Sequence, residues 1–239
     1  MRIPGPLAAF FAPHRFFAES PHGSSFGVAF LVVTVVAVAL TAALAGIGLL
    51  FVDAIDATVT VDNPDRPPEV FCEGETPEWY EDDCEEPETI DRDAGSILWD
   101  VWTNYLPWIF VGTYLLWIVM GLFVHGAARL AGGEGSLAES LAIVGWALPA
   151  ELLQAAGAVV FFAWLTAGER ITADSEAQLG AEIDALVASV PEVNPLAFVV
   201  AAWQIGIVAY GLRETHDLSL RAAAVACGVV IGAFSLLAL

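Results

Sequence analysis

The sequence contains no lysine, and its eight basic residues are all arginine. Against them stand 29 acids, for a formal net charge of -21. Nucleic-acid binding is excluded on that balance, because phosphate contacts need a basic surface. Charged residues as a whole are scarce, at 15%. A soluble domain of this size carries about 25%. Histidine-containing metalloprotease signatures are missing: there is no H-E-x-x-H. Nor is there a G-x-S-x-G nucleophile turn, and "GGEGS" is followed by no Lys-Ser/Thr, so it is not a phosphate loop. No nucleophile–base pair, metal set or cofactor motif stands out, and the chain reads as non-enzymatic with no cofactor.

What remains is apolar. Hydrophobic residues make up 57% of the chain and the mean hydropathy is +0.69. They fall in five blocks, each long enough for the ~20 residues that cross a bilayer as a helix. The blocks are 26–52, about 106–130, about 137–167 with Pro149 inside it, about 195–212 and about 220–239. The expected fold is an all-α integral membrane protein, a bundle of five transmembrane helices with a kinked third helix and an acidic extracellular loop. The first block is too long and too far from Met1 for a cleaved signal and reads as a retained span. The division is then 1–25, an N-terminal segment; 26–52, the first span; 53–105, the acidic loop with Cys72 and Cys84; and 106–239, the four-helix remainder. The segment "PLAAFFAPHRFFAESP" suits a short helix in the membrane interface, or a disordered tail.

Arginine placement orients the spans. Arg2, Arg15, Arg129, Arg213 and Arg221 fall on one side, in short loops. Arg66, Arg92 and Arg170 fall on the other, diluted by acids. The positive-inside rule puts the first set in the cytoplasm, so the N-terminus is cytoplasmic and the C-terminus extracellular. Residues 53–100 and 166–193 hold 23 of the 29 acids, all on the outer side. An acidic, lysine-free surface is also how a halophile's proteins stay soluble in strong salt. A halophilic, archaeal source follows as an expectation.

The outer loop holds "CEGETPEWYEDDCEEPE", from Cys72 to Glu88. A disulfide between Cys72 and Cys84 is the first reading for an oxidising exterior, worth roughly 3 kcal/mol in the chain-entropy model. Free thiols and a metal site are the alternatives. The spacing matches no zinc or calcium pattern, and the loop has no histidine. "ATVTVD" (57–62) alternates with period two and can form a strand. Trp99, Trp102, Tyr105 and Trp108 resemble an aromatic belt at the outer interface.

Polar residues inside the spans are few. Ser136 and Glu139 form a capping-box pattern that starts the third helix near Leu137. Pro149 removes a backbone bond and clashes with the carbonyl of Gly145. Glu151 then lies roughly 20 Å from Leu137 at a rise of ~1.5 Å per residue. An ionised carboxylate there costs several kcal/mol, so Glu151 is protonated, paired or facing water. Gln154 lies on the same helix face, and Gln204 on the fourth span is the best distant partner. The structural reading is a hydrogen-bonded contact between spans three and four through Glu151 and Gln204. The functional alternative is a small transporter or channel using Glu151 as a proton or cation site. His125 and His216 both lie at span ends and read as interface residues, and Cys227 as inert core. Ala224, Gly228 and Gly232 make a small-residue stripe suited to a helix contact, within the chain or by self-association.

Three stretches together resemble the Yip-domain family. "HGAARLAGGEGSLAESLAIVGWALPAE" (His125–Glu151) is similar to its Gly-Gly-x-Gly-Ser/Thr turn and Gly-Tyr/Trp-Ala-x-x-Pro helix. "GLRETHDLSLRAAAVA" (211–226) is similar to its turn between the last two spans, and "FFAPHRFFAE" to a Pro-x-x-Phe-Phe lead-in. The resemblance covers most of 98–239 and leaves out the Cys-containing loop. It implies five spans, a cytoplasmic N-terminus and no catalytic residues. Gly132, Gly133, Gly135, Pro149, Arg213 and Arg221 are the matching positions. Eukaryotic members interact with Rab GTPases in vesicle trafficking, a system a prokaryote lacks. The partners implied are membrane lipids and other membrane proteins.

Overall fold

The computed structural model describes residues 7–19, 23, 25–72, 81–168, 170–173, 176–188 and 195–237. Among these, eleven α-helices and one two-stranded sheet follow in order. Helices α1 (Ala8–Phe11) and α2 (Pro13–Glu19) precede α3 (Phe26–Ala54). Strand β1 (Thr58–Asp62), short helices α4 (Glu69–Cys72) and α5 (Glu81–Cys84), and strand β2 (Thr89–Asp93) come next. Then come α6 (Ala94–Leu130), α7 (Leu137–Ala147), a 3-10 turn (Leu148–Ala150) and α8 (Glu151–Leu165). Helices α9 (Glu176–Ala188), α10 (Pro195–His216) and α11 (Leu220–Leu237) complete the chain.

Among the described residues, four stretches are long and apolar enough to cross a membrane: Phe26–Ala54, Ala94–Leu130, Leu137–Leu165 and Pro195–His216. The fifth expected span corresponds to a shorter apolar helix over Leu220–Phe234. Element ends differ from the sequence expectation in one instructive place. Helix α6 begins at Ala94, not near Leu106, and takes Ala94–Tyr105 out of the expected loop. The reason is local. The Ser96 amide donates to Asp93 Oδ1 at 2.7 Å and the Ser96 hydroxyl donates to the Asp93 carbonyl at 2.7 Å, so Asp93 caps the helix. Pro107 sits inside α6 without ending it.

The chain divides into two compact units. The first comprises 1–47, 104–162 and 191–239. Its core is aliphatic: Val33 and Val36 of α3, Val124 of α6, Ile143 and Val144 of α7, Ile207 and Leu212 of α10, and Ile231 of α11 are all buried. Trp117 joins them and donates its indole N–H to the Leu141 carbonyl at 2.8 Å. Small residues let these helices approach. A Cβ on Gly211 would stand 2.4 Å from Ile143 Cγ2. The N-terminal helices belong to this core. Phe16 and Phe17 are buried, Phe16 packs edge-on against Trp146 at 4.7 Å, and the Trp203 indole donates to the Phe10 carbonyl at 3.1 Å. Of the two readings open for this segment, the helical one holds: Ala8–Phe11 and Pro13–Glu19 are short helices, docked on α7 and α10.

The second unit comprises 48–103 and 163–190. Strands β1 and β2 pair antiparallel, with Thr60 opposite Asp91. Ile55, Ala57, Val59, Ala94, Ile171 and Ala173 bury a small apolar cluster beside them. Asp56 and Ile171 donate backbone bonds to the opposing segment at 2.9 Å each. Cys72 and Cys84 are joined by a disulfide, with Cα atoms 5.6 Å apart. Residues 73–80, most of the ring it closes, lie outside the described residues.

Candidate functional site

The polar residues singled out in the sequence gather at two places in the first unit. The first is the turn between α6 and α7. Helix α6 ends when the Gly133 amide reaches back to the Ala128 carbonyl at 2.9 Å, and Gly132 takes a φ of +91°. That left-handed conformation is open to glycine at no steric cost. The Arg129 guanidinium donates to the Gly133 carbonyl at 3.1 Å and holds the turn. Ser136 then caps α7. Its amide donates to Glu139 Oε2 at 2.7 Å, and the Glu139 amide donates to Ser136 Oγ at 3.3 Å. Reciprocal capping of this kind satisfies two otherwise unpaired amides. Ser136→Ala is therefore expected to cost about 1 kcal/mol, read as a lowered unfolding midpoint in detergent. An unchanged midpoint would remove Ser136 from the helix start.

The glycines have a second role that the sequence left invisible. A Cβ on Gly135 would lie 2.5 Å from three ring atoms of His216. A Cβ on Gly133 would lie 3.2 Å from His216 Cβ. The Glu134 amide donates to the His216 carbonyl at 3.2 Å. The turn after α6 and the turn after α10 are thus one structure, closed around a buried imidazole.

His216 sits in a chain of hydrogen bonds. Its Nε2 is 2.8 Å from Ser140 Oγ, and its Nδ1 is 2.7 Å from Thr215 Oγ1. His125 Nδ1 is 3.1 Å from the same Ser140 oxygen. Ser140 and His216 are 0% and 1% exposed. Proton counting assigns the directions. The Thr215 hydroxyl donates to the Gly211 carbonyl at 2.9 Å, so Thr215 Oγ1 accepts from His216 Nδ1–H. The Ser140 hydroxyl has one proton and two acceptors in reach, the Nε2 of a neutral His216 ring at 2.8 Å and the Ser136 carbonyl at 3.3 Å; it donates along the shorter contact, and its oxygen accepts from His125 Nδ1–H. Both ring nitrogens of His216 are used, and so is the Ser140 hydroxyl. A serine against a histidine is also how a nucleophile–base pair begins. Here the serine is sealed from solvent, and the group orienting the imidazole is a threonine hydroxyl. The arrangement ties α6, α7 and α10 together at one end.

The second place is the break in the third apolar block. Pro149 has no amide to donate, and the helix passes through a 3-10 turn over Leu148–Ala150 before resuming at Glu151. Gln204 Nε2 donates to Glu151 Oε1 at 2.7 Å. Gln204 is only 4% exposed, and Glu151 is half-buried. Gln154, placed by spacing on the same face, is not part of this contact. The neighbouring Trp203 is covered by Phe10 and Phe11. Arg213 pairs with Glu214 at 3.4 Å. Cys227 is buried, with Sγ 3.6 Å from the Ile205 carbonyl. Gly228 and Gly232 have open space where a side chain would stand.

His125 and His216 read from the sequence as separate interface residues; His216 is instead buried at 1% exposure, and both rings meet Ser140. Each looks solitary in the chain, at the end of a different apolar block. The signal available was the glycine pair Gly133 and Gly135, whose missing side chains leave room for something large.

Four helices able to cross a bilayer, with their deep polar groups bonded to one another, define a multi-span helical membrane protein. The Yip1 domain family model matches residues 7–239, and the chain belongs to that family. The match takes in the Cys72–Cys84 segment as well as the motif-bearing turns. Neither a curated protein nor a solved structure matches the chain.

Proposed function

We propose that this protein is a non-enzymatic membrane component that binds other membrane proteins or organises the bilayer around it. The observation that carries the reading is the use of its polar groups. Among the described residues, no buried side-chain nitrogen or oxygen lacks a hydrogen-bond partner. The Glu151 carboxylate, the one acid deep in an apolar block, accepts from Gln204 Nε2 at 2.7 Å. A hydrogen bond of this kind between side chains of two spans holds the helices together. Large apolar side chains meanwhile lie open along the spans, Leu31, Leu115 and Val160 among them, as surfaces for lipid or partner helices. In this reading the N-terminus is cytoplasmic and the C-terminus outside, with the turns around Gly133 and His216 on the cytoplasmic side. The lysine-free acidic composition supports a halophilic source.

Reconstituted into vesicles, the full-length protein is expected to pass protons and monovalent cations no faster than protein-free vesicles do. Glu151→Gln should leave that leak unchanged. Cation or proton flux that disappears in Glu151→Gln would replace this reading with the transporter one. Crosslinking in native membranes before extraction then identifies the protein neighbours.

A further inference from the structure

Beside the histidine turn, a groove of about 540 Å³ runs between the last turn of α6 and the first half of α11. Its floor is made of small residues, including Ala127, Ala131, Ala222 and Ala226. Its walls are Leu130 and Val225, which are 92% and 67% exposed. The one charged residue lining it is Arg221. The groove continues along α11 as far as Val229, which at ~1.5 Å per residue is about 12 Å from Arg221.

Arg221 stands out in a chain so rich in acids. Arg66, Arg92 and Arg213 hold the carboxylates of Glu88, Asp100 and Glu214. Arg129 and Arg170 donate to the carbonyls of Gly133 and Asp53. Among the described residues Arg221, like Arg15, has no such partner, and it is exposed. It lies in the first turn of α11, where the helix's own positive end disfavours a cation unless an anion is close.

We infer that this groove binds one anionic two-chain phospholipid, with the phosphate on the Arg221 guanidinium and a hydrocarbon chain along Ala222 and Ala226. Both halves of the ligand are matched. A guanidinium presents paired N–H donors in the geometry of a phosphate. The lining below it offers hydrocarbon and no hydrogen-bonding side chain, as a hydrocarbon chain requires. The volume lies within the ~300–1,000 Å³ usual for small-molecule sites. The groove also opens at the ends of two apolar helices, the level at which lipid headgroups sit.

The test uses full-length protein in detergent, titrated with phosphatidylglycerol or with phosphatidylcholine of identical chains and read by native mass spectrometry. Phosphatidylglycerol is expected to bind about fivefold more tightly, the factor one arginine contributes against anionic lipid. Arg221→Gln should erase that preference. Arg213→Gln, whose guanidinium is already held by Glu214, should keep it. Ala222→Phe, which fills the groove, should weaken both lipids together, and inorganic phosphate at matched concentration should displace neither. A preference that survives Arg221→Gln overturns the assignment. So does equal binding of the two lipids by the unaltered protein, or displacement by inorganic phosphate alone. A groove that instead seats a second copy of the chain would show a dimer lost in Ala222→Phe with no lipid preference, and that too overturns it. If Ala222→Phe fails to fold, the two arginine variants still decide.

Discussion

Gly135→Ala is expected to destabilise the protein by about 3 kcal/mol, the upper range for forcing one methyl into a full core. The same change in a His216→Ala background should cost a few tenths at most. The reason is that the new Cβ has one obstacle, the imidazole, with three of its atoms at 2.5 Å. At so short a distance something must move, and this ring is held at both nitrogens, by Ser140 and Thr215. It cannot rotate away without leaving its own two ring nitrogens unpaired in a site only 1% exposed, at roughly 1–3 kcal/mol for each buried group. His216→Ala will itself be destabilising, because it empties the space of a ring that is 1% exposed and removes its bonds to Ser140 and Thr215. Once the ring is gone, however, the methyl added at Gly135 enters the space it left. The expected result is therefore strong non-additivity, measured as a double-mutant cycle on unfolding midpoints in detergent. Additive losses would mean that the glycine turn and His216 act independently, and that the two turns are not one structure. The control is Gly132→Ala. It meets nothing within 4 Å, but it strains a φ of +91°, so its cost should be unchanged by His216→Ala.

That experiment also marks where sequence reading stops. The helix start at Ser136 was legible because its two groups are three residues apart and their bond is set by local geometry. Four of the five apolar blocks were legible as spans because a bilayer imposes length and composition on a helix whatever its neighbours are. The break at Pro149 follows from the ring itself. The contact between Glu151 and Gln204 was reachable by elimination, since so few polar groups lie inside the spans. The His125–Ser140–His216 chain was not reachable in that way. Its members come from three helices, and no rule of spacing links residue 125 to 216. Helix α6 reached back to Ala94 because Asp93 caps it, a signal hidden in a run of acids where any one could serve. Docking of Phe16 against Trp146 depends on which surface is left uncovered after the bundle forms, which is a property of the whole fold.

Glu151 and Gln204 give the second large effect, and its sign separates packing from transport. Glu151→Leu and Gln204→Leu are each expected to lower stability by about 1–2 kcal/mol. The remaining partner then keeps a buried polar group with nothing to bond. The double variant should recover most of that loss, because replacing both partners with apolar groups removes the unpaired group along with the bond. Hydrogen bonds between membrane helices average only about 0.6 kcal/mol, so the bond itself adds little. What is costly is breaking it from one side. Glu151→Gln should be nearly neutral, since an amide oxygen can accept from Gln204 Nε2 as the carboxylate oxygen does. A carboxylate kept for moving protons behaves in the opposite way: Glu151→Gln abolishes its work, and the double leucine variant restores nothing. Unfolding midpoints for the four proteins, measured beside vesicle leak for Glu151→Gln, therefore distinguish the two roles. Recovery in the double variant with unchanged leak assigns the pair to holding α8 against α10. No recovery, with leak lost in Glu151→Gln, assigns Glu151 to transport.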